Sequence, residues 1–356
     1  MLEIKQFKMW LSNGDISEEA YNYLAGISSK EILGVSEVDE YKEKKISITI
    51  STYNRPNTLI RLMDSIIMQA YSNYEIIIID DKSTDDTETV INKYIASHPK
   101  IKIEYYINET NMGVSESKKR GYELCQGDII IFSDDDDFFI DRLYFRKINK
   151  IYTENEECTM TTASTLYHYE KDDTYSIAKL NFLEPIDNKE YLKGFASKYR
   201  KPCSMFTLSL NARKMKEIHY ENLMCFNDMS LYMYGALAKG NVYPIVEAVG
   251  VYSVQVFSMT SGVSAIYTIN NLDAKIDIGL KALKKNYLKK EEYKTWKFNQ
   301  CMPTLLNFFN GNIKSGKDIV LVNRWIIRNL SLKYALVAYF KEMNARFLYY
   351  IGRYCK

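Results

Sequence analysis

The stretch DIIIFSDDDD, residues 128–137, decides how this chain is read. Its unbroken apolar run is the pattern of a strand covered on both faces. The run then breaks into four consecutive aspartates. Upstream, EIIIIDD (75–81) repeats the pattern, and ISITIST (46–52) is a β-branched run ending in the polar turn TYNRPN. Between those two, Leu59, Leu62, Met63, Ile66 and Ile67 share one helical face. A further helix is expected at about 85–96, a strand at 101–107 and a helix at about 114–125. This alternation predicts an α/β fold with a mainly parallel central sheet and helices on both faces.

The flanks read differently. Ser17, Glu18 and Glu19 before Ala20, Tyr23, Leu24 and Ile27 look like a capped helix start, so residues 1–45 are expected to form a helical extension. Residues 157–265 alternate less regularly. ECTMTTASTLYHYE suggests a strand or hairpin, PCSMFTLSL (202–210) a strand, MSLYMYGALAKG (229–240) a helix, and NVYPIVEAVGVYSVQV a further strand. The region 266–356 reads as helical and basic.

Composition excludes several classes. With 46% hydrophobic residues, 30 tyrosines and 15 phenylalanines, the 356-residue chain is not intrinsically disordered. It has no apolar run long enough to span a bilayer, and MLEIKQFKMW lacks the apolar core of a secretory signal, so a cytoplasmic protein is expected. Six scattered cysteines without CxxC, and only three histidines, argue against a structural zinc site or a disulfide scaffold. The net charge of +2 conceals a split: residues 281–356 hold 16 Lys and Arg against 4 Asp and Glu, and residues 1–280 hold 31 against 41.

Ligands of such sheets bind beyond the carboxyl ends of the strands. Three polar groups fall there: Thr52-Tyr53-Asn54-Arg55, Asp80-Asp81, and Asp134 to Asp137. Adjacent carboxylates raise one another's pKa, and a divalent cation is the natural compensation. An all-oxygen donor set suits Mg2+ or Mn2+. A solvated acidic turn is the competing reading; the second pair at Asp80-Asp81 favours a site.

These residues resemble family-2 glycosyltransferases of the GT-A fold. The resemblance rests on ISITISTYNRPNTLIRLMDSIIMQAYSNYEIIIIDDKSTDDTETVINKY and NETNMGVSESKKRGYELCQGDIIIFSDDDDFF, and continues more weakly through KPCSMFTLSLNARKMKEI and FNDMSLYMYGALAKGNVYPI. It implies a nucleotide-binding half at 46–150 and an acceptor-side half at 151–265. It implies that Ser51, Tyr53, Arg55, Asp81, Gly113, Lys118, Asp134 and Asp135 bind a nucleotide sugar, with the Tyr53 ring against the base and Asp81 reading a uracil nitrogen. Asp136 would be the direct metal ligand, with Asp134, for Mn2+ or Mg2+. Asp228, in Asn227-Asp228 where the family has "ED", would be the general base. The implied partners are a UDP-sugar donor and a glycan or lipid-linked acceptor, in bacterial capsule, lipopolysaccharide or other surface-glycan synthesis.

Blander readings stand beside these. Asp228 also reads as a helix N-cap, Lys118 as a solvated helix charge, Arg55 as a turn charge and Tyr53 as a rim aromatic. Lys119 replaces the family's usual Asn, and Ser253 and Gln255 replace an Arg and a His. These departures keep open a catalytically inactive GT-A-fold carbohydrate-binding or scaffold protein. A nucleotidyltransferase lacks support, since no Gly-rich basic loop follows the first strand. A phosphatase of the haloacid dehalogenase type would carry Thr or Val where Phe138 stands. The last thirty residues, with Tyr334, Val337, Phe340 and Phe347 among Arg and Lys, suggest a basic amphipathic helix on an anionic membrane. The preceding part, with Trp325, suggests a packed helix. No nucleic-acid module accompanies the charge.

Overall fold

A computed structural model describes residues 2–26, 42–202, 204–254, 264–310 and 315–330. The apolar runs form strands β1 (Ile46–Thr52), β2 (Tyr74–Asp80), β3 (Lys102–Ile107) and β4 (Ile129–Asp134), linked by helices α3 (Pro56–Ile67), α4 (Thr87–Ser97) and α5 (Val114–Leu124). These strands are parallel, in the order β3-β2-β1-β4. Ile46, Ile48, Ile50, Ile76, Ile78, Ile129 and Ile131 are fully or almost fully buried and share one cluster with Leu59, Leu62, Met63 and Ile66 of α3. Burying each such side chain contributes roughly 1.5–3 kcal/mol. Register aligns the strand ends: Ser51 pairs with Ile79 on one side and Asp134 on the other, and Thr52 pairs with Asp80.

The second half extends the same sheet. The short β9 (Ser209–Asn211) lies antiparallel between β4 and β6 (Cys158–Tyr169), and β6 runs parallel to β10 (Asn241–Val254). β5 (Phe138–Phe139), β7 (Thr174–Ala178) and β8 (Ile186–Asp187) pair with β10, β6 and β10. Helices α6 (Tyr144–Glu154), α7 (Asn188–Gly194), α8 (Ala212–Glu217) and α9 (Asp228–Gly235) complete this half. The expected strand at 202–210 is only partly one. Met205–Thr207 forms a 3-10 turn, held by Thr207 Oγ1 donating to the Ser204 carbonyl at 2.9 Å, and pairing begins at Ser209.

The N-terminal helices are α1 (Leu2–Ser12) and α2 (Glu18–Leu24), the latter capped by Ser17, whose hydroxyl accepts from the Ala20 N–H at 3.2 Å. Phe7, Trp10, Ile16 and Ala20 bury against Phe138, Ile140, Leu166, Ala248 and Val251. The extension thus covers the sheet where β5 and β10 meet.

The chain divides into two compact units, 1–255 and 256–356. The second contains α10 (Ala265–Lys284), α11 (Lys290–Asn310) and α12 (Gly316–Asn329). Leu272, Cys301, Leu305, Phe308, Val322, Trp325 and Ile326 form its core, and Trp325 Nε1 donates to Asp273 at 2.6 Å. Among the described residues no helix is long and apolar enough to cross a membrane. Residues 331–356, which carry the membrane-surface reading, lie outside the described residues, as does Gln255.

Candidate active site

The carboxyl ends of β1, β2 and β4 converge. After β1, Asn54 takes a left-handed conformation (φ 55°), which Asn tolerates better than most residues. Its side-chain oxygen accepts from the Thr84 N–H at 2.7 Å, and its own N–H donates to Ser83 at 2.9 Å. The turn after β1 is thereby pinned to the turn after β2, and Arg55 is carried over the end of β4.

Arg55 is therefore no solvated turn charge. Its Nη1 lies 2.7 Å from Asp136 Oδ2 and 3.2 Å from Asp135 Oδ1. Thr52 Oγ1 donates to the other Asp135 oxygen at 2.7 Å. Lys118 is buried on the inner face of α5 and meets Asp134 Oδ1 at 2.9 Å. Gly121, one turn later, lets α5 approach β1: a Cβ there would fall 1.9 Å from Thr49 Oγ1. That close approach brings Lys118 to Asp134 and excludes the reading of Lys118 as a solvated charge.

Burial dominates the titration of Asp135, Asp136 and Asp137. It pushes the Asp135 carboxyl up to about 7, against the Thr52 hydrogen bond and the Arg55 charge. Burial also raises Asp136, reinforced by Asp134, with Arg55 opposing. Asp137 is fully buried and rises most clearly, from burial first and then from Asp134 and Asp136; Ser204 Oγ donates to it at 2.5 Å and the Ser253 N–H at 3.3 Å. The fourth aspartate thus joins the cluster to the second half of the sheet.

Asp81 is buried, and its carboxylate holds the loop before α5. Oδ1 accepts from Asn108 Nδ2 at 2.8 Å and the Met112 N–H at 2.7 Å; Oδ2 accepts from the Gly113 N–H at 2.8 Å. Gly113, at φ 87°, is the N-cap of α5 and takes a backbone shape that side-chain-bearing residues avoid. Ser51 Oγ is buried without a hydrogen-bond partner, and Tyr53 stands 43% exposed at the rim. One donor and one open ring therefore flank the same strand end.

Asp228 is the first residue of α9, and its neighbour Asn227 is the cap, accepting from the Ser230 N–H at 3.1 Å. The N-cap reading of Asp228 is thereby corrected: Asn227, in the place of the family's Glu, takes that task and leaves the Asp228 carboxylate for another. Burial raises the Asp228 pKa, Lys118 and Lys201 oppose, and Asp134 adds to the rise. Asp228 therefore shares an electrostatic environment with the β4 cluster. Ser115 Oγ of α5 accepts from the Phe226 N–H at 2.9 Å, so the helix that carries Lys118 also steadies the approach to Asp228.

Arg61 was not singled out from sequence. Its Nη2 donates to the Asp136 carbonyl at 2.6 Å and to Ser253 Oγ at 3.0 Å, and its guanidinium lies 4.5 Å from the Phe138 ring centroid. Ser253 Oγ also donates to the Asp136 carbonyl, at 2.8 Å. The family's arginine at position 253 is absent, and a guanidinium from α3 stands beside the serine that replaces it.

The donor set fits a hard cation. Lys118 engages Oδ1 of Asp134 and Arg55 engages Oδ2 of Asp136, leaving the second oxygen of each carboxylate. Among the described residues no group of three or more His, Cys, Asp or Glu is gathered for a metal. Two such carboxylates would leave the remaining coordination positions of an ion to ligand and water oxygens, as Mg2+ commonly accepts.

Fold and strand ends define an α/β protein of GT-A type. Residues 47–239 match the family model of glycosyl transferase family 2, more than half of the chain. The chain belongs to that family. An uncharacterized glycosyltransferase of Rickettsia conorii is 33% identical over 159 residues, 45% of this chain and 24% of that protein. Chondroitin synthase of Escherichia coli is 33% identical over 93 residues, 26% of this chain and 13% of that one. This chain thus spans less than a quarter of either relative. S. aureus TarS 1–349 in complex with UDP-GlcNAc superposes with a TM-score of 0.62 at 16% identity, covering 88% of this chain and 92% of that one. The mannosyltransferase PcManGT of Pyrobaculum calidifontis, in complex with GDP-Man and Mn2+, gives 0.50 at 13% identity, covering 96% and 94%. At these identities the two structures establish likeness of fold.

Proposed function

We propose that this protein is a metal-dependent, inverting glycosyltransferase that moves a sugar from a UDP-linked donor to a hydroxyl of a glycan or lipid-linked acceptor. The observation that carries the reading is the meeting of Asp134, Asp135 and Asp136 with Lys118 and Arg55 at the end of β4. Acids beside one buried and one half-buried cation at one strand end suit a ligand that brings both diphosphate and a metal ion.

Asp134 and Asp136 would hold Mn2+ or Mg2+, which supplies Lewis-acid neutralisation of the leaving diphosphate. Arg55 and Lys118 donate hydrogen bonds to phosphate oxygens. Ser51 Oγ, buried and unpartnered, is a donor for the nucleotide, and Tyr53 packs on its base. Asp81 fixes the Gly113 loop and presents a carboxylate edge to uracil. Asp228 takes the proton of the acceptor hydroxyl, whose oxygen attacks the anomeric carbon as the bond to the diphosphate breaks. Attack from the face opposite the leaving group inverts that carbon. The likeness to a bacterial chondroitin synthase supports a setting in bacterial surface-glycan synthesis, and the basic segment 281–356 would suit an anionic membrane surface at the cytoplasmic face.

A structure determined with UDP and Mn2+ tests this reading. The nucleotide is expected across the ends of β1 and β4, with the ion on Asp134 and Asp136. UDP bound elsewhere, or a cation avoiding both carboxylates, overturns it.

A further inference from the structure

Three tyrosines continue the face of the sheet that leads away from the aspartates. In the parallel pair β6 and β10, Tyr167 lies opposite Tyr252, His168 opposite Ser253, and Tyr169 opposite Val254. Side chains alternate across a strand, so Tyr167, Tyr169 and Tyr252 share one face, and Leu166, His168, Val251 and Ser253 share the other. The second set is committed to structure. Leu166 and Val251 pack under the N-terminal helices, His168 stacks on Tyr175 at 4.5 Å, and Ser253 bonds the Asp136 carbonyl.

The first set forms a ladder of rings. Tyr167 meets Tyr252 edge to face at 5.5 Å, and Tyr169 lies 6.1 Å from Tyr167. Its inner end adjoins the reaction centre, since Tyr252 is the neighbour of Ser253, whose N–H meets Asp137. Burial raises the Tyr252 phenol, and Asp137, Asp228, Asp134 and Asp136 add to that rise, so the ring lies within the field of both the β4 cluster and the base. The outer end opens to solvent: Tyr252 and Tyr167 are half-buried, and Tyr169 is 38% exposed.

A ligand laid along this ladder would run from solvent toward Ser253 and Asp137, beside the β4 cluster where the proposed reaction takes place. Rings with apolar faces and hydroxyl tips match a pyranose, which offers axial C–H groups on its faces and hydroxyls at its edge. A polyol phosphate would call for a cation at every rung, and a lipid chain would avoid the hydroxyls. We propose that Tyr252, Tyr167 and Tyr169 form the acceptor subsites and take successive pyranose rings of a glycan, the innermost presenting its hydroxyl to Asp228. This inference rests on the glycosyltransferase reading for its geometry and names the acceptor class.

Ligand-detected NMR tests it without turnover. Lactose, cellotriose and N,N′-diacetylchitobiose serve as probes, and glycerol phosphate as the contrasting polyol. Irradiating the aromatic protons of the whole chain is expected to transfer saturation to the ring protons of at least one of the three pyranosides. Tyr169→Ala should weaken that binding roughly tenfold, the loss of about one aromatic contact, and Tyr169→Phe should retain it. Transfer to none of the three, transfer to glycerol phosphate alone, or undiminished transfer in Tyr169→Ala overturns the inference. Failure of the glycosyltransferase reading is seen separately, as absence of UDP release from any UDP-sugar.

Discussion

Lys118 Nζ lies 2.9 Å from Oδ1 of Asp134, and both belong to the parallel half of the sheet, one on α5 and the other at the end of β4. With Arg55 on Asp135 and Asp136, the acidic cluster is held by the protein's own cations. Those cations would compete with a metal ion for the carboxylates, and a diphosphate would draw them away. Mn2+ and nucleotide should therefore bind synergistically.

Lys118→Met separates the two effects. Without Lys118 to occupy Asp134, Mn2+ alone should bind more tightly, and the KM for the donor should rise as a diphosphate contact is lost. Electron paramagnetic resonance of free Mn2+ and initial-rate kinetics measure the two directions. Unchanged metal affinity would count against the competition.

Asn227 and Asp228 should respond in opposite ways. Asn227→Ala removes a helix cap and should cost about 1 kcal/mol of stability, seen as a lower melting temperature. Asp228→Asn should leave stability nearly intact and lower kcat for transfer by about 10²–10⁴, the contribution of a general base. The raised pKa of Asp228 also sets a sign: the base must be deprotonated, so the acid limb of the kcat/KM profile, which reports the free enzyme, should lie above the ordinary aspartate range. A limb at or below that range would assign the proton transfer elsewhere.

Arg61 should act through position. Arg61→Lys keeps a charge but loses the planar guanidinium that lies over the Phe138 ring and sets Nη2 between the Asp136 carbonyl and Ser253 Oγ. Mn2+ affinity in the presence of UDP should fall, and kcat with it, while the melting temperature changes little. A loss of stability with unchanged metal affinity would make Arg61 a packing residue.

Glu75 sets the acid stability at the other end of the sheet. Burial would raise its pKa, but hydrogen bonds from Lys102, Lys45, Ser47 and the Gln126 N–H outweigh it and hold the carboxyl at about 2. A depressed folded-state pKa stabilises the fold above the unfolded value near 4.5, and that stability is lost as pH falls toward 2. The expected loss is on the order of 3 kcal/mol, read by denaturant titration between pH 5 and pH 2. Glu75→Gln should flatten that dependence; an unaltered pH profile would refute the assignment.

The parallel half was legible because its signals are local. A strand buried on both faces needs an unbroken apolar run, and 75–81 and 128–134 show one. The acidic strand ends were legible for the same reason. What escaped depended on contacts distant in sequence. Arg61 sits on a helix whose apolar face is Leu59, Leu62, Met63 and Ile66, so its spacing reads as solvent-facing; only the return of β10 brings Ser253 beside it. The cap reads equally well at Asn227 or Asp228 from sequence because Asn and Asp are both good caps, and only the bond to the Ser230 N–H distinguishes them. Residues 202–210 look like a strand by composition, yet the Ser204 hydroxyl bonds Asp137 and the chain turns before pairing.

The proposed reaction turns over a UDP-sugar with a divalent cation at the carboxylates that end β4. The most direct measurement is UDP release from a panel of UDP-sugars by metal-stripped protein, with and without Mn2+, beside Asp136→Asn. Release that requires Mn2+ and is abolished in Asp136→Asn is predicted. Release that persists in EDTA, or that Asp136→Asn leaves intact, would contradict the account.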